Sequence, residues 1–324
     1  MLNNALTGLG DVDTLVTEVN TELKNRPIAV ENIANQLCWV RTGGSSGKIG
    51  QTTVFPVQFF GNKSKIRSVY EEIGGTTPEV AKFSVEVQLH APDGYLLPQM
   101  TLATDVYGIV EGNVTDLRAS AQAELERQLA ELIGTGASTT TVYDGKNFFA
   151  TDHEANPTKP GLKTFSNYKT SFDLNYANVS TALDLLDAVP GPDGNLLSMP
   201  GRNVIFVSTG AQESAARLLM NGDMIPNSAG TATQSNPLKG RADVVKIVQL
   251  RDYGSAKYWG VARIAGDKHR PFTLSMPVPP QMYLSGLAID ESLQVTRSVG
   301  KQGWKSVHGF GYGWPHLAVL CVES

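Results

Sequence analysis

Two extended, β-rich runs face each other across a charged segment, and no other feature restricts the fold as much. The first, QTTVFPVQFF (51–60), ends at Gly61-Asn62-Lys63, which is turn chemistry. The second, AKFSVEVQLHA (81–91), alternates Phe83, Val85, Val87 and Leu89 with polar partners. Strands of about ten residues span about 33 Å. The tip between them carries Lys63, Lys65 and Arg67, then Glu71 and Glu72. Such a long two-stranded arm is marginal in water on its own, so the sequence calls for a neighbour on which it packs.

The rest of the chain has the makings of a core. Hydrophobic residues make up 41% of its 324 positions, too many for a disordered tail, and the length allows two compact units or one elaborated body. Leu15, Val16, Val19 and Leu23 give residues 11–24 helical spacing, and TGGSSGKIG (42–50) then breaks the chain. The strongest helix is TDLRASAQAELERQLAELIGTG (115–136), with a narrow apolar stripe of Leu117, Ala121, Leu125, Leu129 and Leu132 and with Gly134 as the stop. Helix 115–133 measures about 28 Å. Further on, a helix near 178–188 leads through PGPDGNLLSMPG to the strand NVIFVS. Thr209 and Gln212 form a capping box for GAQESAARLLMN, which Asn221-Gly222 ends. Strands are predicted at 244–250, 257–263 and 272–278. This alternation over 171–284 reads as a compact α/β unit.

Bulk properties exclude several function classes. A net charge of −4 argues against a protein whose main task is gripping nucleic acid, which needs a basic face. Cys38 and Cys321 are the only cysteines, so neither a disulfide scaffold nor a cysteine zinc site is expected. The start lacks the basic-then-apolar pattern of a secretory signal, and no stretch reaches the roughly 18 apolar residues of a membrane span. A soluble protein of a reducing cytoplasm is expected.

The densest cluster of chemistry-bearing side chains is YDGKNFFATDHEANPTKPG (143–161), with Asp144, Asp152, His153 and Glu154 around Phe148 and Phe149. His153-Glu154 begins like a zinc-protease helix, but position 157 is Pro and no second His follows. Consecutive side chains at 152–154 diverge in a strand or a helix alike. GGSSG (43–47) satisfies the nucleophile-elbow pattern with Ser45, yet a β-rich run follows where a helix is required. Gly47-Lys48 fails as a phosphate loop, because position 42 is Thr and Ile49 stands where magnesium needs a hydroxyl. In an extended strand His308 and His316 are about 26 Å apart, too far to share an ion unless the chain folds back. HGFGYGWPH (308–316) sets Phe310, Tyr312 and Trp314 on one face and bare glycine backbone on the other. It is read as a strand pressed against another element in preference to a stacking platform. No catalytic, cofactor-binding or metal residue is assigned, and no cofactor is expected.

DGKNFFATDHEAN, then a helix, then GPDGNLLSMPGRNVIFVSTGAQESAARLL and NPLKGRADVVKIVQL, stand in an order that resembles major head proteins similar to that of phage Mu. LATDVYGIVEG (102–112) looks like that family's segment ahead of its long helix. The resemblance implies an α+β chain with the Hong Kong 97-type phage capsid fold. It implies an N-terminal arm (1–44), an extended hairpin loop (45–91), a peripheral domain with a long spine helix (92–170), an α/β axial domain (171–284) and return strands of the peripheral domain (285–324).

The function so implied is a major capsid protein. It assembles as pentamers and hexamers into the icosahedral head of a tailed double-stranded DNA phage or prophage, in the host bacterial cytoplasm. Scaffolding, portal and decoration proteins are implied partners, the DNA is enclosed without tight specific binding, and no membrane is involved. FFATDH is then a structural connector. Lys63, Lys65, Arg67, Glu71 and Glu72 at the hairpin tip are the expected subunit-interface residues, since opposite charges pair usefully across a boundary. Two other readings remain open: an encapsulin-like compartment shell that loads protein cargo, and a hydrolase using Ser45 or His153.

Overall fold

The computed structural model describes residues 33–42, 52–58, 80–98, 106–138, 142, 144–156, 161, 163–191, 194–197, 199–226, 233–253, 257–284 and 299–324. The expected helix at 11–24, the GGSSG segment with Ser45, and the hairpin tip with Lys63, Lys65, Arg67, Glu71 and Glu72 lie outside these residues.

In chain order the elements are α1 (Ile33–Leu37), β1 (Cys38–Thr42), β2 (Thr52–Gln58), β3 (Val80–Glu86), β4 (Gln88–His90), β5 (Tyr95–Pro98) and α2 (Val106–Thr135). The short strands β6 (His153–Glu154), β7 (Thr164–Phe165) and β8 (Tyr168–Thr170) lead to α3 (Tyr176–Asp187), β9 (Arg202–Val207) and α4 (Gly210–Asn221). Then come β10 (Met224–Pro226), β11 (Thr233–Ser235), β12 (Ala242–Lys246), β13 (Tyr258–Ile264), β14 (Phe272–Leu284), β15 (Val299–Tyr312) and β16 (Ala318–Val322).

Two five-stranded sheets organise the fold. The first runs β1-β14-β15-β4, with β5 also on β15; the second runs β12-β9-β13-β16-β8. In the second sheet alternate side chains serve two cores. Val204, Phe206, Ala262, Ala318 and Leu320 face one side, where they join Leu125, Leu129 and Ile133 of α2 and Phe272 and Leu274 of the first sheet. Ile205, Val207, Val261, Val319 and Cys321 face the other, under Val179, Leu183 and Leu186 of α3 and Ala216 and Met220 of α4. Burial on both faces is why NVIFVS reads as an unbroken apolar run.

The helix caps are local and follow the sequence. Thr209 and Gln212 form the capping box of α4, and the Asn175 side chain accepts from the Asn178 N–H at the start of α3. The C-terminus of α3 is held by Arg263, which donates to the Leu186 carbonyl at 3.4 Å and to Asp187 at 2.6 Å. A guanidinium there also complements the negative end of the helix.

Several elements differ from the sequence reading. α2 begins at Val106 instead of Thr115, and near the predicted start Val114, Leu117 and Ala121 form a small core with Met282 and Trp304. Gly134 does not stop that helix. A Cβ there would lie 2.4 Å from the Tyr253 Cβ, so glycine lets the helix press on the 3-10 segment Val248–Tyr253. That segment replaces the second half of the strand predicted at 244–250 and puts Leu250 into the shared core. Leu89 breaks the predicted alternation at 49% exposure, since the chain changes partner after Glu86, from β2 to β15. The sheets also cut across the chain: β14 pairs with β1 and β15, whereas β16 enters the second sheet between β13 and β8.

Candidate functional site

The arm is built as its alternation implies. β2 and β3 pair antiparallel from Thr52↔Glu86 to Gln58↔Val80. Its root is anchored to the first sheet: the Ser275 hydroxyl donates to Thr53 Oγ1 at 2.8 Å, both groups buried. Val85 is 2% exposed and sits over the glycines of HGFGYGWPH. A Cβ on Gly309 would lie 2.0 Å from the Glu86 carbonyl oxygen, and one on Gly311 would lie 2.5 Å from Val85 Cγ2. The bare face of that strand is thus the seat of the hairpin root. The aromatic face turns inward: Tyr312 stacks on Phe148 at 4.7 Å and its hydroxyl donates to the Leu132 carbonyl at 2.7 Å.

Beside the root, α2 and β15 bound an open groove of about 360 Å³ lined by Glu86, His90, Arg127, Glu131, His308 and Phe310 among others. The α2 wall is a charged ladder. Arg127 grips Glu124 with both nitrogens at 2.6 and 2.9 Å and reaches Glu131 at 3.5 Å. Burial alone would raise the Glu124 carboxyl, but hydrogen bonds from Arg127 and Gln128 outweigh it and hold the group below its ordinary value. On the floor, His308 is fully buried and stacks on His90 with centroids 4.0 Å apart. Its Nδ1 pairs with the Ser306 hydroxyl at 2.7 Å, and its Nε2 has no hydrogen-bond partner. Burial, with a smaller contribution from His90, pushes His308 down to about 3, so it is neutral at physiological pH.

The 144–154 cluster is a closed arrangement. His153 Nδ1 lies 2.6 Å from Asp144 Oδ2 and its Nε2 3.0 Å from the Phe148 carbonyl, with both side chains sealed from solvent. A carbonyl only accepts, and so does a carboxylate, so the arrangement is satisfied when both ring nitrogens carry protons. His153 is then the cation of a buried pair. Burial pulls the Asp144 carboxyl upward, but His153 and the backbone N–H groups of Lys146 and Glu154 together hold it below the ordinary carboxylate value. Asn167 completes the knot, donating to the Phe148 and Pro315 carbonyls at 2.8 and 3.0 Å. Phe165 lies between His153 and His316, at 5.1 and 4.6 Å. Burial first, then repulsion from His153, drives His316 down to about 3.

The structure therefore sorts the sequence candidates. Asp144 and His153 meet, while Asp152 points to the surface and pairs with Lys146. His308 lies in β15 on the α2 groove, and His316 lies past the strand in the 3-10 turn Pro315–Leu317, against Phe165. Among the described residues no group of three or more His, Cys, Asp or Glu is arranged to hold a metal, and no helix is long and apolar enough to cross a membrane. Sequence reasoning missed the groove. Half of it was readable, because Glu124, Arg127 and Glu131 stand at helical i, i+3, i+7 spacing. The other half needs His90 beside His308.

Comparison with known proteins yields a consistent set of likenesses. Residues 94–173 match the family described as Mu-like prophage major head subunit gpT. No curated protein matches the chain by sequence. Among solved structures, the capsid of the cyanophage P-SCSP1u is similar over 100% of this chain and 92% of its own, at 13% identity and a TM-score of 0.54. The capsid of an empty GTA particle is similar over 99% of both chains, at 12% identity and a TM-score of 0.54. The procapsid of bacteriophage JBD30 is similar over 98% of this chain and 77% of its own, at 13% identity and a TM-score of 0.50. At such identities the likeness shows the fold, which is the Hong Kong 97-type capsid fold.

Proposed function

We infer that this chain is the major capsid protein of a tailed phage or prophage, a virion component whose copies assemble into an icosahedral shell. The observation that carries the reading is the match of residues 94–173 to the Mu-like major head subunit family, set within a capsid fold along the whole chain. A compartment shell that loads protein cargo is the less favoured alternative, since the family match points to a phage head.

The chain works as a building block and catalyses nothing. The Asp144–His153 pair, in the segment read from the sequence as a structural connector, is engaged with its own backbone and holds a loop. Assembly proceeds through repeated contacts, each of them weak, whose number makes the shell stable. The hairpin at 45–91 is the loop that leaves its own subunit, and Lys63, Lys65, Arg67, Glu71 and Glu72 at its tip meet a neighbour. α2 is the spine of the peripheral domain, and the sheet carrying α3 and α4 belongs to the axial domain around the five- and six-fold axes. Assembly takes place in the host cytoplasm with scaffolding and portal proteins, and a decoration protein binds the finished shell. The enclosed double-stranded DNA is held without tight binding, in keeping with a net charge of −4.

Electron microscopy of the protein expressed alone and with its neighbouring head proteins tests the reading. Closed shells, or rings of five and six subunits, are expected. A strictly monomeric species under every assembly condition would overturn it, and particles carrying a co-purifying enzyme in place of DNA would favour the compartment.

A further inference from the structure

We propose that the stacked imidazoles of His90 and His308 are an acid-sensitive latch: protonation of His308 releases β4 from β15 while the rest of the subunit stays folded. The inference concerns a single chain and does not depend on assembly.

The latch joins three elements. In the β4–β15 ladder Ser306 is opposite His90 and His308 is opposite Gln88, so the two histidines are diagonal neighbours on adjacent strands. Their rings stack with centroids 4.0 Å apart and 26° between planes. From α2, the Gln128 Nε2 lies 3.1 Å from His90 Nδ1 and also donates to Glu124 at 2.7 Å. An amide nitrogen only donates, so His90 Nδ1 accepts in the closed latch. His308 bonds Ser306 through Nδ1, and its Nε2 is hidden from solvent without a hydrogen-bond partner. A second proton on that ring would create a buried cation against another imidazole, with one N–H unmatched. The charged side chains around the pair are Glu124, Arg127 and Glu131 on α2 and Glu86 at the end of β3. Glu124 is 3.8 Å from His90 Nδ1, and both it and Glu131 face Arg127. β14, on the other side of β15, carries no charged residue. Burial first, then His90, outweigh the pull of Glu124 and hold His308 down at about 3.

β4 is the part that gives way. It is a three-residue strand on the sheet edge, among the described residues it pairs with β15 alone, and Leu89 is half exposed. β15 is held on its other side by β14, from Phe272↔Tyr312 to Leu284↔Gln302. The lip that can lift is short. On one side Val85 stays seated over Gly311 and the Ser275–Thr53 bond holds the hairpin root. On the other, β5 keeps its own pairing with Val299–Gln302. Segments held by so few contacts open without global unfolding. Released, His308 meets water and titrates near its ordinary value of about 6.5. The released state thus binds one more proton between about 6.5 and 3, and its population rises about tenfold for each pH unit of acidification.

Hydrogen exchange of the full chain, read by mass spectrometry from about pH 6 to about pH 4.5 and corrected for intrinsic exchange rates, tests the latch. The opening constant of a peptide covering residues 87–91 should rise about thirtyfold over that interval. At each pH it should exceed the opening constant of β9 at least about tenfold. His308→Asn keeps a group that can bond Ser306 but cannot titrate, and His308→Phe keeps the ring. In either variant the rise should shrink to less than about threefold. Circular dichroism at neutral pH shows which variant is folded, and if neither is, the parent's own profile decides. A flat profile in the parent overturns the proposal. So does a rise that β4 and β9 share at one opening constant, because β4 then exchanges only by global unfolding. A rise that persists unchanged in a folded His308 variant overturns it as well. The shell reading is untouched by any of these outcomes.

Discussion

Two fully buried imidazoles in this molecule have opposite roles. His153 has a carboxylate at 2.6 Å on one nitrogen and a carbonyl at 3.0 Å on the other, so every polar atom is matched within its own subunit. His308 has a hydroxyl at 2.7 Å on one nitrogen and nothing on the other, and the nearest large neighbour is a second imidazole. Burial is the same for both. What differs is whether a fixed negative charge lies within hydrogen-bond reach. The first site is satisfied on both nitrogens and serves stability, whereas the second lies beneath an open groove with one nitrogen unmatched.

The comparison is most severely tested at Asp144. Asp144→Ala leaves a buried imidazole without its counter-charge and should cost about 3–5 kcal/mol of folding stability, read as a lower urea midpoint with an unchanged slope. A loss below about 1 kcal/mol would mean that the pair is not the closed knot described here.

Acid provides the next test. His308 and His316 stay neutral in the fold down to about 3, whereas in the unfolded chain a histidine takes up a proton near 6.5. The unfolded state therefore binds more protons between those values, and stability falls as pH drops from about 6.5 towards 3. Each histidine contributes a slope of about 1.4 kcal/mol per pH unit. Below about 4 the depressed Asp144 adds to the loss, because its stabilising ionised form is titrated away as pH falls through its folded value. Thermal unfolding followed across this range should show a reduced slope in His308→Asn. An identical slope would mean that His308 is not held neutral.

Gly309→Ala places a methyl 2.0 Å from the Glu86 carbonyl and should destabilise the subunit by about 1–3 kcal/mol. The expected signature is a lower melting temperature together with faster amide exchange in β3. The smallest effect is expected at Glu131→Gln on the groove rim. There the subunit should change by less than about 0.5 kcal/mol, so a larger change in the urea midpoint would show the Glu131–Arg127 pair to be structural.

Legibility followed the range of the forces involved. The caps of α3 and α4 and the stripe Leu117-Ala121-Leu125-Leu129 depend on neighbours a few residues away, and the sequence displays them. The first turns of α2 carry Gly108 and Gly112, poor helix formers, and no local pattern announces a helix there. The same holds for the knot. Asp144 and His153 are nine residues apart and were visible as a cluster read as a connector, but their pairing and closure onto the Phe148 carbonyl were not. The groove joins β4 to β15 across more than two hundred residues, so only its α2 wall could be read in advance.

The placement of β16 between β13 and β8 bears on when such a subunit becomes competent. The strand pairs with Tyr258–Ala262 on one side and Tyr168–Thr170 on the other, so the second sheet stays split until residues 318–322 arrive. During synthesis the chain emerges from its N-terminal side, and such distant strand pairings form slowly. Hairpin and spine are thus made long before the sheet that supports them can close. A nascent chain therefore keeps the β13 and β8 edges of that sheet unpaired until residues 318–322 have been made and docked between them.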